Sequence, residues 1–145
     1  MVETAVSMIA AFTLAFMLFE AAMLIYSYSI INIAAREGVR YAVVHGSDNS
    51  NCSGPSTGCG DASGANVIAV VDHYAALTFH DTSAMKVTVS YVDDAQSEQQ
   101  GYHVGQPGTP LSLVTVTVVY TYVPFVKLVS LSGNLTASSA GRIVF

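Results

Sequence analysis

Residues 4 to 31 read TAVSMIAAFTLAFMLFEAAMLIYSYSII, an apolar run without proline or glycine in which Glu20 is the one charged residue. About 20 apolar residues cross the hydrocarbon core of a bilayer, so this run can span a membrane with tilt to spare. Helix-favouring residues continue beyond it, and the first glycine is Gly38. The pattern predicts one helix from Met1 to Val44, about 65 Å long at about 1.5 Å per residue. Its excess over a membrane's width predicts a helix that also packs against other such helices.

Two acidic residues interrupt the apolar part of this helix. Glu3 lies in the first turn, where the helix dipole and a free α-amino group both favour negative charge. Glu20 has no nearby cation in its own helix, and an ionised carboxylate is costly in hydrocarbon. Its expected partner is therefore a group of another chain or a neighbouring polar side chain such as Ser27 or Tyr26. The alternative is a protonated Glu20 that faces lipid or lies in the headgroup zone.

The same helix carries four short motifs whose combination is informative. They are Val2-Glu3-Thr4-Ala5, Leu18-Phe19-Glu20-Ala21-Ala22, Tyr26-x-Tyr28 and Asn32-x-Ala34-Ala35-Arg36-Glu37-Gly38-Val39-Arg40-Tyr41-Ala42. This combination resembles the TadE-like pilin and pseudopilin family of the tight-adherence (Tad) branch of type IV pili. The last block is the most specific of the four, and the resemblance covers residues 2 to 45 well and the last third of the chain more loosely.

The resemblance implies a subunit that is made as a membrane prepilin, trimmed by a prepilin peptidase, and assembled through its N-terminal helix by an ATPase and platform machinery. Family members usually carry the acidic residue at the fifth position after cleavage, and many have an early proline. Here the acid is Glu3 and the helix has no proline. The missing proline predicts an unkinked helix, and the position of the acid leaves the processing site open. Because no basic leader ending in Gly precedes Met1, the chain is expected to be either the mature form or a leaderless relative, and the mature form is favoured since Met is a plausible first residue in such filaments. In the mature form Glu3 is expected to neutralise the α-amino group of the next subunit.

The arginines and tyrosines of the helix each have two possible roles. Arg36 and Arg40 flank Glu37 near the C-terminal end, where the helix dipole favours cations. They could instead pair with Glu20 or Glu3 of adjacent subunits, or with anionic lipid. Tyr26 and Tyr28, together with Tyr41, could pack against neighbouring subunits, or they could form an interfacial aromatic belt.

Composition limits what the rest of the chain can do. The 145 residues are 52% hydrophobic and 10% charged, and the net charge of −5 with five Lys and Arg in all argues against nucleic acid as a partner. Residues 46–64 are rich in Gly, Ser, Asn and Asp, which predicts a loop. Because this part is expected outside the cytoplasm, Cys52 and Cys59 are expected to form a disulfide that staples the loop. No cofactor, metal site or catalytic motif is expected, so the chain is not predicted to be an enzyme.

The C-terminal part has the pattern of a small α+β domain. A second helix is predicted over 65–79, with Asp61 or Ser63 as its N-cap. Alternating residues predict strands over 85–92, 113–123 and 134–145, and the polar residues 93–109 predict an exposed loop that could lie between subunits. Three antiparallel strands with one apolar face are expected to cover the second helix and the distal half of the first. The fold class is α+β, with a type IV pilin-like helical spine, a second short helix and a small sheet of about three strands.

These observations lead to one functional prediction with two alternatives. Residues 1–44 are expected to lie in the inner membrane before assembly and in the core of an extracellular filament afterwards, and residues 45–145 to form the extracytoplasmic domain. The predicted function is a pilin subunit that polymerises with copies of itself for surface attachment. Its predicted assembly residues are Met1, Glu3, Glu20, Tyr26, Tyr28, Arg36, Glu37 and Arg40. The alternatives are a minor pseudopilin that primes or caps a filament of another pilin, and a permanently membrane-anchored binding domain.

Overall fold

The architecture is a long helix that carries a second helix and an antiparallel sheet. The computed structural model describes residues 2–45, 51–53, 61, 63–77, 82–92, 113–124 and 133–143. The elements in this part of the chain are α1 (Val2–Val44), α2 (Ala65–Ala76), a short 3₁₀ turn (Thr82–Ala84), β1 (Met85–Val92), β2 (Leu113–Tyr122) and β3 (Gly133–Arg142). The predicted α+β class is confirmed, and α1 runs through the apolar run without a break, as its composition predicts.

The start of α2 is fixed by a carboxylate that lies before it. Both oxygens of Asp61 accept backbone N–H groups, from Ala65 at 2.5 Å and from Asn66 at 2.9 Å. These N–H groups have no partner within the helix, so Asp61 stabilises the start of α2 from outside it. The N-cap residue is Gly64, so the prediction of Asp61 or Ser63 at that position is wrong. The cap position itself is held by Gly64 at φ 71°, where an added Cβ would also lie 3.0 Å from Val89. Glycine suits this left-handed conformation because it has no Cβ.

The end of α2 comes earlier than predicted. The helix ends at Ala76, with Leu77 as its C-cap, whereas the sequence pattern extends to residue 79. Residues 78–80 lie outside the described part of the chain, as do 93–112 with the predicted exposed loop, and the terminal residues 144–145.

The sheet has the order β1-β2-β3 with both pairs antiparallel. In the central strand β2 every second side chain is buried, from Val114 to Tyr122. The intervening residues lie on the outer face, where Thr117 is hydrogen-bonded to Ser138 at 3.3 Å and Thr121 donates to Asn134 at 3.1 Å. The strict alternation confirms that one face of the sheet is apolar and the other is polar.

The apolar face of the sheet packs against α2 and the second half of α1, which confirms the predicted arrangement. The core residues are Ile31, Ala34, Ala35, Val39 and Ala42 of α1, Val67 and Val71 of α2, Val114, Val116, Val118, Tyr120 and Tyr122 of β2, with Ala137 and Ile143. Two glycines allow close approach at this interface. A Cβ on Gly38 would lie 2.6 Å from a methyl group of Val71, and one on Gly141 would lie 2.6 Å from Val39.

Candidate assembly surface

The first part of α1 is largely exposed. From Val2 to Phe19 the large apolar side chains are exposed, from 46% for Phe16 to 80% for Val2. We call this segment the exposed rod (Val2–Phe19). It is about 27 Å long, close to the roughly 30 Å of a bilayer's hydrocarbon core. In the described part of the chain α1 is the one helix that is long and apolar enough to cross a membrane.

Small side chains are spread along the exposed rod. Ala5, Ser7, Ala10, Ala11 and Ala15 are all exposed. The hydroxyl groups of Ser7 and Thr13 donate to backbone carbonyl groups of their own helix, at 2.9 Å and 2.8 Å. These residues therefore present little bulk and no unbonded hydroxyl donor to a neighbouring helix. Small residues of this kind allow helices to approach closely in an apolar medium.

Glu20 marks the place where the globular domain begins to cover α1. The hydroxyl group of Tyr122, at the end of β2, donates to a carboxylate oxygen of Glu20 at 2.5 Å. Glu20 is followed at helical spacing by Leu24, Ser27 and Ile31, which pack towards the domain. The carboxylate therefore lies on the covered face of the helix, at the edge of the domain.

Tyr122 was not among the partners predicted for Glu20, which were a group of another chain or a neighbouring polar side chain such as Ser27 or Tyr26. Tyr122 lies 102 positions away in the sequence. A signal was nevertheless present in the sequence. Tyr122 is in phase with Val114, Val116 and Val118 in an alternating strand, which places it on the face that must pack against a helix.

The environment of Tyr122 keeps its hydroxyl group protonated at neutral pH. Burial raises the pKa of Tyr122 to about 12, and the hydrogen bond and negative charge of Glu20 act in the same direction. A phenolate beside a carboxylate is unfavourable, so the phenol remains a donor and the carboxylate an acceptor. The Tyr122 hydroxyl group can therefore stabilise a charged carboxylate oxygen of Glu20, at the end of the exposed rod, without a cation.

The arginines of α1 lie on the side away from the domain. Arg40 is 76% exposed at its side chain and donates to Glu37 at 3.4 Å, a surface pair within one helix that contributes little to stability. Arg36 is also exposed. Among the described residues neither Arg36 nor Glu3 forms an ion pair. Tyr26 and Tyr28 are each 47% exposed on the same helix, so both remain available to a neighbour or to an interface.

The block from Asn32 to Ala42, which carries the most specific part of the resemblance, divides into two faces. Ala34, Ala35, Gly38 and Ala42 are buried under the chain's own domain. Arg36 and Arg40 face away from it. The small residues of this block therefore serve contacts within the subunit, whereas the two arginines lie on the exposed face of the helix.

The segment that contains the first cysteine is anchored to both helices. Cys52 is 7% exposed, and its carbonyl group accepts a hydrogen bond from the Asn66 side chain at 3.0 Å. The Tyr41 hydroxyl group donates to the Asn51 carbonyl group at 3.1 Å. Cys59 lies outside the described residues, so the Cys52–Cys59 disulfide stays a prediction. Met1, one of the predicted assembly residues, also lies outside them.

Within the described residues, no group of three or more His, Cys, Asp or Glu side chains is arranged to hold a metal ion. A shallow groove of about 340 Å³ runs between α1 and α2, and its walls include Tyr41, Val44, Val70 and Tyr74. It is lined mainly by apolar and aromatic groups, with the Glu37–Arg40 pair at its edge.

The structure thus defines a class of protein in which an apolar helix extends far beyond the small α+β domain that it supports. Residues 1–40 match the model of a family described as TadE-like protein, which confirms the predicted resemblance to the TadE-like family. The match covers the exposed rod and most of the block from Asn32 to Ala42. It supports a pilin-like protein that is associated with Tad pili. Comparisons with curated proteins and with solved structures gave no match.

Proposed function

We propose that this chain is a pilin subunit that polymerises through α1 into an extracellular Tad-like filament for surface attachment. The observation that carries the proposal is the exposed rod, a membrane-length apolar helix that the subunit's own domain leaves uncovered. The match of residues 1–40 to the TadE-like family supports it. A monomer with this surface needs either lipid or other protein around the rod.

Assembly would exchange lipid for protein around the exposed rod. Lipid tails are as apolar as leucine, so the hydrophobic effect favours this exchange only weakly. The assembled state must gain from close packing, which the small residues of the rod allow, and from neutralisation of Glu3. In this proposal residues 1–44 are the membrane and filament segment, and residues 45–145 are the extracytoplasmic domain. The Cys52–Cys59 disulfide would form in the same compartment.

The proposal implies partners and two locations. Before assembly the subunit would lie in the inner membrane, where a prepilin peptidase and an assembly ATPase with its platform would act on it. After assembly copies of the chain would surround one another in a filament at the cell surface. The resemblance to the TadE-like family suggests the peptidase and the assembly machinery as partners, and the exposed rod supports self-association.

The experiment that tests the function is the analysis of sheared surface material by electron microscopy and mass spectrometry. We expect fibres in which this chain is the dominant protein. A trace amount in fibres of another pilin would favour the minor pseudopilin instead. Its absence from fibres, with the protein retained in the membrane when the assembly ATPase is deleted or present, would favour a permanently anchored domain.

A second experiment addresses Glu3. We expect Glu3→Ala to reduce the amount of fibre while the subunit remains inserted in the membrane, because a residue that neutralises charge in a dry core is then missing. Asp72→Ala, which removes a carboxylate from α2, is the matched control and should leave fibre yield unchanged. Normal fibre counts for Glu3→Ala would contradict a role of Glu3 in assembly.

A further inference from the structure

The charges of α1 can be accounted for one by one. Glu20 accepts a hydrogen bond from Tyr122, and Glu37 accepts one from Arg40. Glu3 and Arg36 form no ion pair among the described residues, and they lie near opposite ends of the same helix. An acid and a base left over in this way are complementary, but within one straight helix they are about 50 Å apart. They can meet only between two copies of the chain.

Glu20 is a poor candidate for the partner of Arg36. It lies on the face that the domain covers, where Tyr122 already bonds to it. Arg36 lies on the opposite, exposed side. A second copy that offers its Arg36 to Glu20 would have to approach the side of the helix that Tyr122 and the domain already occupy. Glu3 is exposed and has no such obstruction.

Lipid headgroups are equally poorly placed. If the exposed rod spans the hydrocarbon core, the core ends near Glu20, and Arg36 lies about 24 Å further along the helix. The headgroup layer on one side of a bilayer is only about 5–8 Å thick. Arg36 is therefore too far from the membrane surface to pair with an anionic lipid while the rod is inserted. Its counter-ion must come from another protein surface or from solution.

The residues around Glu3 and Arg36 fit each other in spacing and in size. Glu3, Ser7 and Ala11 follow one another four residues apart, and so do Arg36, Arg40 and Val44; all six are exposed. Residues at this spacing share one face of a helix. A single offset of 33 positions brings each member of the first row beside the matching member of the second, which places small Ser7 and Ala11 opposite large Arg40 and Val44.

We propose that the start of the exposed rod of one copy, from Glu3 to Ala11, docks in parallel along the Arg36–Arg40–Val44 row of a second copy, offset by about 50 Å, with Glu3 paired to Arg36. The inference rests on the proposed function and adds the partner surface and the register of that assembly. Parallel orientation follows because all copies leave the same membrane. The α-amino group of Met1 in a neighbouring copy, expected from the sequence, is the competing partner for Glu3.

A charge exchange tests the pairing. Glu3→Arg and Arg36→Glu should each lower fibre yield at least about tenfold, the effect of losing one well-formed charge pair. The double variant with both changes should restore most of the yield. Glu3→Arg combined with Arg40→Glu is the matched control and should not be rescued, because Arg40 is offset by a further turn. Failure of the first pair to rescue, or equal rescue by the control, overturns the Glu3–Arg36 pairing.

Cross-linking tests the register without changing charge. Ala11→Cys combined with Val44→Cys should give a ladder of disulfide-linked multimers in oxidised fibres. Ala11→Cys with Ile33→Cys, a residue of similar exposure at a different offset, should not. If the disulfide-linked multimers form but the exchanged charges do not restore fibre yield, the register stands and the Glu3–Arg36 pairing is overturned. The α-amino group of Met1 would then be the partner of Glu3. If fibres contain the wild-type chain and neither result appears, the register is wrong; if no fibre contains the chain, the proposed function itself fails.

Discussion

Gly38→Ala is expected to destabilise the subunit although alanine is the better helix former. The new Cβ would lie 2.6 Å from a methyl group of Val71, and 3.4 Å and 3.5 Å from Val67 and Val116. Carbon atoms in contact are normally about 3.5–4.0 Å apart, so the first contact is short by about 1 Å. Val71 is fully buried and cannot turn into solvent. The two helices must therefore separate or Val71 must leave its rotamer.

The magnitude follows from two opposing effects. Overpacking of a well-packed core costs about 1–3 kcal/mol. Alanine in place of glycine within a helix gains about 0.5–1 kcal/mol. The net loss should be about 1 kcal/mol, which lowers the Tm of a domain of this size by about 4–8 °C. The measurement is thermal unfolding of the purified subunit in detergent, followed by circular dichroism.

Two controls isolate the steric cause. Gly133→Ala, at a position with nothing within 4 Å of the added Cβ, should leave the Tm unchanged or slightly higher. Val71→Ala removes the methyl group that Gly38→Ala would meet, so on that background Gly38→Ala should become neutral or stabilising. If Gly38→Ala is no less stable than the wild type, or if its cost is the same with and without Val71, the close approach of α1 and α2 has been misread.

Four further predictions concern contacts within the subunit. Tyr122→Phe removes the donor to Glu20 and should cost about 1 kcal/mol in detergent, because Glu20 is only partly buried, whereas Tyr28→Phe should have no effect. Folding raises the pKa of Tyr122 from 10.0 to about 12, so the neutral phenol contributes to the free energy of unfolding below pH 10. This contribution should be lost as the pH rises from 10 to 12. In alkaline unfolding experiments, Tyr122→Phe should therefore lose less stability over this pH range than the wild type. Asp61→Ala leaves two N–H groups of α2 without an acceptor and should lower the free energy of unfolding by about 1–2 kcal/mol. The control Asp72→Ala should lower it by less than about 0.5 kcal/mol. Mass spectrometry should find Cys52 joined to Cys59, and reduction should lower the free energy of unfolding by about 2–3 kcal/mol; a free thiol in protein from the cell surface would contradict the disulfide.

Some features of the molecule follow from local pattern alone. The length and composition of the run from residue 4 to 31 specify a membrane-length helix, because this property does not depend on contacts with other parts of the chain. The alternation in Leu113–Tyr122 specifies a strand with one buried face, because side chains of a strand point to opposite sides in turn. The motifs of α1 were also sufficient to indicate the TadE-like family.

Other features depend on which surfaces meet, and the sequence could not supply them. The partner of Glu20 is 102 positions away, and a pairing at that distance is fixed only when β2 packs across α1. The sequence placed the small residues of the block from Asn32 to Ala42 in one group with its arginines. The structure separates them, since Gly38 lies against Val71 while Arg36 faces outward. Periodicity gives the face of a helix to which a residue belongs, whereas only packing decides whether that face is covered by the same chain or left for another.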